Sequence, residues 1–207
     1  MTELTLHGGA LSGHVHRVML LARMLGVAIR MEPAPPAVRQ SDAFRAMNPL
    51  GQIPVLQDGA LVLSDSNAIM VYLMRRYGAG SAWIPTDPVL EAEMQRWLSL
   101  AAGELAFGPA RARLVLQFGI AEDLPHAQAI AARLLGFMQR HLAGRDWLVG
   151  STPSIADLAL ASYVAVAPEG GVSLAPYPAV TAWLSRLRAL PGWFDMPAGP
   201  NPVEAAA

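Results

Sequence analysis

The sequence contains no cysteine. Disulfides, thiolate metal sites and a protein-borne thiol nucleophile are therefore excluded. Charge is scarce as well: Asp, Glu, Lys and Arg make up 15% of the 207 residues, the formal net charge is -1, and no block of like charges occurs. Nucleic acid and anionic membrane surfaces, which are held by a concentrated basic footprint, are poor partners for such a chain. No apolar run reaches membrane-spanning length without a charge, Gly or Pro inside it. The opening MTELTLHGG lacks the basic and apolar regions of a signal peptide. What is present is an apolar fraction of 53%, the composition of a well-packed soluble protein, for which the cytoplasm is the expected location.

Leu4 to Leu6 alternate like a short strand, which Gly8 and Gly9 end. From His14 onward, Val15, Val18, Met19, Ala22 and Leu25 recur at helical spacing, with Gly26 placed as a cap. Val27 to Met31 reads as a second strand. The Pro-rich EPAPPAVRQSD reads as a loop leading into a short helix around Asp42 to Met47. Ile53 to Leu56 and Ala60 to Leu63 form a hairpin about Asp58 and Gly59, after which Ser64 or Asp65 caps a helix carrying Ile69, Tyr72, Leu73 and Tyr77. This first unit covers residues 1–78.

A connector rich in Gly, Ser and Pro, residues 79–86, leads into residues 87–207, which read as helical almost throughout. The segments are roughly 88–116, 125–143, 154–167 and 179–190 by apolar spacing. Asp87 and Pro88 make a good helix start, and Ser154 with Asp157 has capping-box spacing and a structural reading. Trp97, Trp147, Trp183 and Trp193 fit apolar helix faces or ends, whereas Trp83 in the connector suits a domain or dimer contact. The tail PAGPNPVEAAA is expected to fray.

The stretch GQIPVLQDGALVLSDSNAI, residues 51–69, carries the richest chemistry. Pro54 has no N–H to donate, so the backbone of Ile53 is left to pair outward, and only an X-Pro bond makes a cis turn there inexpensive. A helix beginning at Asp65 and Ser66 offers unpaired amides and a positive dipole end to a carboxylate, with the Asp65 charge beside it for an ammonium. Taken bare, these features are compatible with ordinary hairpin-to-helix packing or with a site for an amino-acid end group and its attached peptide.

NPLGQIPVL followed by LVLSDSNAI resembles the soluble glutathione S-transferases, and within them bacterial members that use a serine rather than a tyrosine. LSGHVHRV near the front, QRWLSLAAGELAFGPAR and SIADLAL extend the similarity over nearly the whole chain. The resemblance implies an α/β thioredoxin-like domain, β-α-β-α-β-β-α, followed by an all-α domain. It implies reduced glutathione as co-substrate, no covalently bound cofactor, no metal and a homodimer. Residue by residue, Ile53 holds the cysteinyl backbone beside a cis Pro54, and Asp65 and Ser66 take the γ-glutamyl amine and carboxylate. Gln52, with Arg39 or Gln40, faces the glycine end. Leu11, Phe107, Arg111 and Phe118 are candidates for the second-substrate pocket.

Ser12 lies between the first strand and the first helix, so a helix N-terminus stands behind its hydroxyl. A free thiol has a pKa of ~8.5, and lowering it by about two units requires roughly 2.7 kcal/mol. One charge-assisted hydrogen bond of ~1.5–3 kcal/mol with a dipole contribution of ~0.3–1 kcal/mol is enough. Ser12 is thus a catalytic candidate as well as an ordinary helix cap. His14 stands where relatives carry Asn, and either donates to the thiolate or caps the helix. His16 is expected to face solvent or pack beside Arg17, and His7 to pack within its strand, near where other classes place a catalytic tyrosine. Three activities stay open at this point: conjugation of glutathione to small electrophiles, glutathione-dependent reduction of disulfides or organic hydroperoxides, and non-catalytic binding.

Overall fold

Alternation over Leu4–Gly8 produces β1, with Leu4 and Leu6 buried, and the chain turns at Gly9 into a helix capped by Ser12. The computed structural model describes residues 4–201. It divides into two compact units: the chain up to Ser81 together with Pro191–Pro197, and Ala82–Leu190 together with the chain from Ala198. Pro191–Pro197 lies within the stretch that composition assigns to the helical half, yet it packs with the first unit. Of the tail expected to fray, residues 202–207 lie outside the described residues.

In the first unit β1 is followed by α1 (Gly13–Met24), β2 (Ile29–Pro33), α2 (Pro36–Arg39), α3 (Asp42–Met47), β3 (Val55–Asp58), β4 (Leu61–Ser64) and α4 (Ser66–Tyr77). The sheet order is β2-β1-β3-β4. β1 runs parallel to β2, with Leu6 opposite Met31, and antiparallel to β3, with Leu6 opposite Leu56; β3 and β4 are also antiparallel. Central strands supply the core residues Leu6, Val55 and Leu56, whereas Met31, Leu61 and Val62 on the edge strands stay exposed. This is the thioredoxin-like arrangement that the motifs imply. Asp58 at the end of β3 accepts hydrogen bonds from Tyr72 (2.7 Å) and Tyr77, tying the hairpin to α4.

Of the boundaries that differ from the sequence reading, three have a hydrogen-bonding reason. β2 starts at Ile29 because Gly26, with φ 67°, closes the helix cap and the Val27 amide still donates to the Ala22 carbonyl. β3 starts at Val55, not Ile53, since Pro54 has no N–H for the ladder. The Pro-rich segment is not all loop: Pro36 at the first helical position starts the single turn α2.

Helix α1 sits close against the end of β1. A Cβ added at Gly8 would lie 2.6 Å from Cγ2 and 2.9 Å from Cγ1 of the buried Val15. Gly8→Ala is therefore expected to destabilise the protein by about 1–3 kcal/mol through overpacking. In urea unfolding the Gly8→Ala/Val15→Ala double variant should cost less than the sum of the single changes; strict additivity would show that Val15 is not the obstacle.

His16 does not face solvent. It is 5% exposed, and its Nε2 donates to the Phe194 carbonyl at 2.9 Å. Its ring meets that of Phe194 edge-on at 4.9 Å, so the returning segment closes over the inner face of α1. Trp193 belongs to this segment rather than to a helix.

The second unit contains α5 (Pro88–Ala102), a π-helical stretch at Ala106–Ala110, α6 (Arg111–Phe118), α7 (Leu124–Leu142), α8 (Ile155–Val164), a 3-10 turn at Ala167–Gly170 and α9 (Pro178–Arg188). The continuous helix expected over 88–116 breaks at Gly103, whose φ −99°, ψ −98° leaves the helical region. The next turns open to π spacing around Pro109, which has no N–H to give the ladder. Every residue of α8 is buried, and Trp97 and Trp183 are fully enclosed. The expected capping box is present at Ser154 and Asp157. The Trp83 carbonyl accepts from the Ile155 amide at 2.9 Å, which anchors the connector to the start of α8. Among the described residues no helix is long and apolar enough to cross a membrane.

Candidate functional site

Two helix N-termini and one proline loop meet within the first unit. α1 contributes His14 in its first turn. Ring nitrogen Nδ1 lies 3.3 Å from Ser66 Oγ at the start of α4. Burial, and then the charge of Arg17, push the His14 pKa down to about 3, so the imidazole is neutral across the ordinary pH range. Arg17, one turn further along α1, is fully buried and points Nη1 toward Ser66 Oγ (3.5 Å) and Asn67 Oδ1 (3.1 Å).

The second contribution is the loop between α3 and β3. Asn48 is buried and braces it from inside, its Nδ2 donating to the Gln52 carbonyl (2.8 Å) and its Oδ1 accepting from the Leu50 amide (3.2 Å). Gly51 takes φ 62°, and a side chain there would press on the Arg39 carbonyl at 3.2 Å. The loop ends in a cis Ile53–Pro54 bond, and Pro54 is buried.

The third is the N-terminus of α4. Asp65 caps it, with Oδ1 accepting from the amides of Asn67 and Ala68, both at 2.9 Å. Asp65 is the one non-glycine residue with positive φ (72°) among the described residues, a conformation that costs of order 1–3 kcal/mol and is characteristic of functional sites. Among the described residues no hydrogen bond reaches its second carboxylate oxygen, which leaves an acceptor open. Ser66, as first residue of α4, has an amide that the helix leaves unpaired.

These pieces enclose a cavity of about 150 Å³. It is lined by His14 from α1, by Asn48, Leu50, Gln52, Ile53 and Pro54 from the loop, and by Ser64, Asp65 and Ser66 from the β4–α4 junction. The start of α4 therefore offers a carboxylate beside a helix N-terminus, with the neutral His14 imidazole against Ser66, and the loop offers a kinked strand entry. An α-amino acid end group matches the first, and a peptide backbone matches the second.

Of the residues singled out by sequence, His14, Gln52, Ile53, Pro54, Asp65 and Ser66 come together around this cavity. Ser12 is not in its lining: its hydroxyl accepts the Val15 amide at 3.4 Å as the cap of α1. Arg39 closes α2, with its Nε buried and without a hydrogen-bond partner among the described residues, and Gln40 beside it is exposed. Leu11 is half-buried ahead of α1. In the second unit Phe107 is exposed, with the Arg111 guanidinium 5.9 Å from its ring centroid and Arg111 also paired with Glu122 at 2.6 Å. Phe118 is exposed beneath the guanidinium of Arg113. His7 is held in the sheet by Gln57, 2.6 Å from its Nε2.

Asn48, Leu50, Ser64 and Arg17 were missed. A residue equipped both to donate and to accept, directly before Pro49, was the available sign for Asn48. For Arg17 it was a lone charge on an otherwise apolar helix face, three residues after His14.

Comparison with known proteins gives a consistent result. The family model described as glutathione S-transferase, N-terminal domain, matches residues 6–81, and that for the C-terminal domain matches residues 104–191. A glutathione S-transferase-like protein LUC7 of Fusarium is 31% identical over 186 residues, covering 84% of each chain. The crystal structure of a glutathione S-transferase from Xanthobacter autotrophicus superposes with a TM-score of 0.85 at 30% identity, covering 94% of this chain and 97% of that one. A theta class glutathione S-transferase from Xanthomonas axonopodis, crystallised with glutathione bound, gives 0.83 at 29% identity over 93% and 95% of the two chains.

Proposed function

The chain belongs to the glutathione S-transferase family, and from that premise we propose that it binds reduced glutathione in the cavity of the first unit, ionises its thiol and conjugates it to small electrophiles. The observation that carries this reading is the convergence of cis Pro54, the Asp65-capped start of α4 and His14 around one cavity. The open oxygen of Asp65 takes the γ-glutamyl ammonium, and the Ser66 amide with the α4 dipole takes the carboxylate. The Ile53 backbone pairs with the cysteinyl residue. Gln52 meets the glycine end, with Arg39 of α2 as the cation for its carboxylate.

His14 is the side chain of the first helix that lines the cavity, which favours it over Ser12 as the group beside the sulfur. A hydrogen bond to a thiolate contributes ~1.5–3 kcal/mol, enough to lower a thiol pKa by about one to two units. The electrophile is received by the helical half, with Phe107, Arg111 and Phe118 as its surface. The protein works as a homodimer, and sedimentation as a monomer at low micromolar concentration would contradict that.

Calorimetry with reduced glutathione tests the binding site, and no uptake at millimolar concentration overturns the reading. A panel of a chloro-nitroaromatic, an organic hydroperoxide and a small disulfide tests the reaction, and turnover of the disulfide alone overturns conjugation. Asp65→Asn keeps an oxygen to cap α4 but removes the charge. It is expected to weaken glutathione binding about 10- to 100-fold, the value of a charge-assisted hydrogen bond, with no change in Tm. Equal affinity in the variant would place the ammonium elsewhere.

A further inference from the structure

The hydrogen bonds behind the cavity run in one direction. Among the described residues the Ser66 hydroxyl has two partners, Arg17 Nη1 at 3.5 Å and His14 Nδ1 at 3.3 Å. Arginine only donates. It occupies a lone pair of the hydroxyl oxygen, and the hydroxyl proton is left for His14. Nδ1 must then present its lone pair, and the ring proton sits on Nε2. Two fields enforce the same orientation. The Arg17 charge, fully buried and hence weakly screened, lies on the Nδ1 side. So does the positive end of α4, which begins at Ser66. An N–H dipole pointing at both would be repelled.

We propose that Arg17, acting through Ser66, fixes His14 as the neutral tautomer protonated on Nε2, so that the ring serves the site as a hydrogen-bond donor to the thiolate and not as a base. The identity of the sulfur rests on the glutathione reading above; the tautomer is a property of the ligand-free chain. Arg17 is a positioning residue, since it stands behind the cavity and is not part of its lining. Burial deepens the effect by holding the ring neutral well into the acid range. The charge acting on the ring is that of Arg17 on its own helix, and Asp65, which lines the same cavity at the cap of α4, has its Oδ1 committed to the amides of Asn67 and Ala68. With Nδ1 engaged by Ser66 and Nε2 already protonated, the proton lost from the thiol passes to water, and His14 contributes an N–H···S⁻ bond.

Nitrogen-15 NMR of the whole protein labelled at its five histidines reads the tautomer directly, with the His14 signals identified by their loss in His14→Gln. In the ligand-free wild type, Nδ1 is expected to resonate as the unprotonated nitrogen and Nε2 as the protonated one, unchanged down to about pH 5 given the depressed pKa. A protonated Nδ1 overturns the proposal. Ser66→Ala should convert the single tautomer into a mixture, and a spectrum like that of wild type shows that the relay is not what sets it. Should Ser66→Ala fail to fold, the wild-type spectrum alone still decides the tautomer.

Activity supplies a second readout. Gln carries an N–H donor at similar reach but cannot act as a base. His14→Gln is therefore expected to retain kcat/KM within about tenfold, and His14→Leu to lose more. A base would make both variants fall by about 100-fold or more, and that result overturns the donor role. If glutathione fails to bind in calorimetry while Nε2 proves protonated, the functional reading falls and the relay stands. Binding with a protonated Nδ1 has the opposite meaning.

Discussion

Asp157→Ala is expected to destabilise the protein by about 4 kcal/mol, near the upper end of what one substitution does to a folded chain. The carboxylate is completely buried at the start of α8 and every hydrogen-bond partner points at it. Oδ1 accepts from the Leu148 amide (3.0 Å) and from Trp183 Nε1 (2.8 Å), and Oδ2 from the amide (2.8 Å) and hydroxyl (3.0 Å) of Ser154. Burial pushes the Asp157 pKa upward, and these donors pull it back in part. Alanine would strand buried donors from three parts of the second unit, each costing about 1–3 kcal/mol when unsatisfied, with the sum reduced because neighbouring groups relax together. Urea unfolding measures the loss, and a change under about 1 kcal/mol would mean the donors find other partners. Trp183→Phe removes one donor and leaves three, so its cost from hydrogen bonding should be nearer 1 kcal/mol, about that of one net hydrogen bond.

The second large effect is acid sensitivity. His14 has a folded pKa of about 3 against an unfolded value of 6.5. Between those values the unfolded chain takes a proton that the folded chain refuses, so protons favour unfolding. The stability is present above about pH 6.5 and is lost as pH falls toward 3, at about 1.4 kcal/mol per pH unit for this one group. His16 and His141, both depressed chiefly by burial, act in the same sense. Asp157 opposes them at the acid end: with a raised folded pKa, it holds a proton in the folded state that the unfolded chain has already released. Stability measured by urea unfolding between about pH 4 and 6 should therefore slope steeply, and His14→Gln should lower that slope by about 1.4 kcal/mol per pH unit. An unchanged slope would show that His14 is protonated equally in both states.

Much of the architecture was legible in the residues because it depends on neighbours. The caps at Ser12, Asp87 and Ser154, the order of strands and helices and the helix starting at Ser66 are all settled by side chains within four positions of the backbone groups they satisfy. The candidate site was legible where it is likewise local, in GQIPVL and LSDSNAI, and the resemblance carried the cis bond at Pro54. The break at Gly103 was not legible, because apolar spacing continues through it while the backbone there leaves the helix.

Sequence by itself determined where the four strands fall to within two residues, where α1, α4, α5, α7, α8 and α9 begin to within a residue, and that no thiol of the protein takes part in its chemistry. Tertiary structure alone decided what those stretches meet. Arg17 reaches Ser66 and Asn67 across 49 and 50 positions, and His16 bonds Phe194 across 178. No pattern of spacing encodes such pairs. They form because burying a cation or an imidazole is tolerable only where another element delivers an acceptor, and the sheet and helix packing choose which element that is.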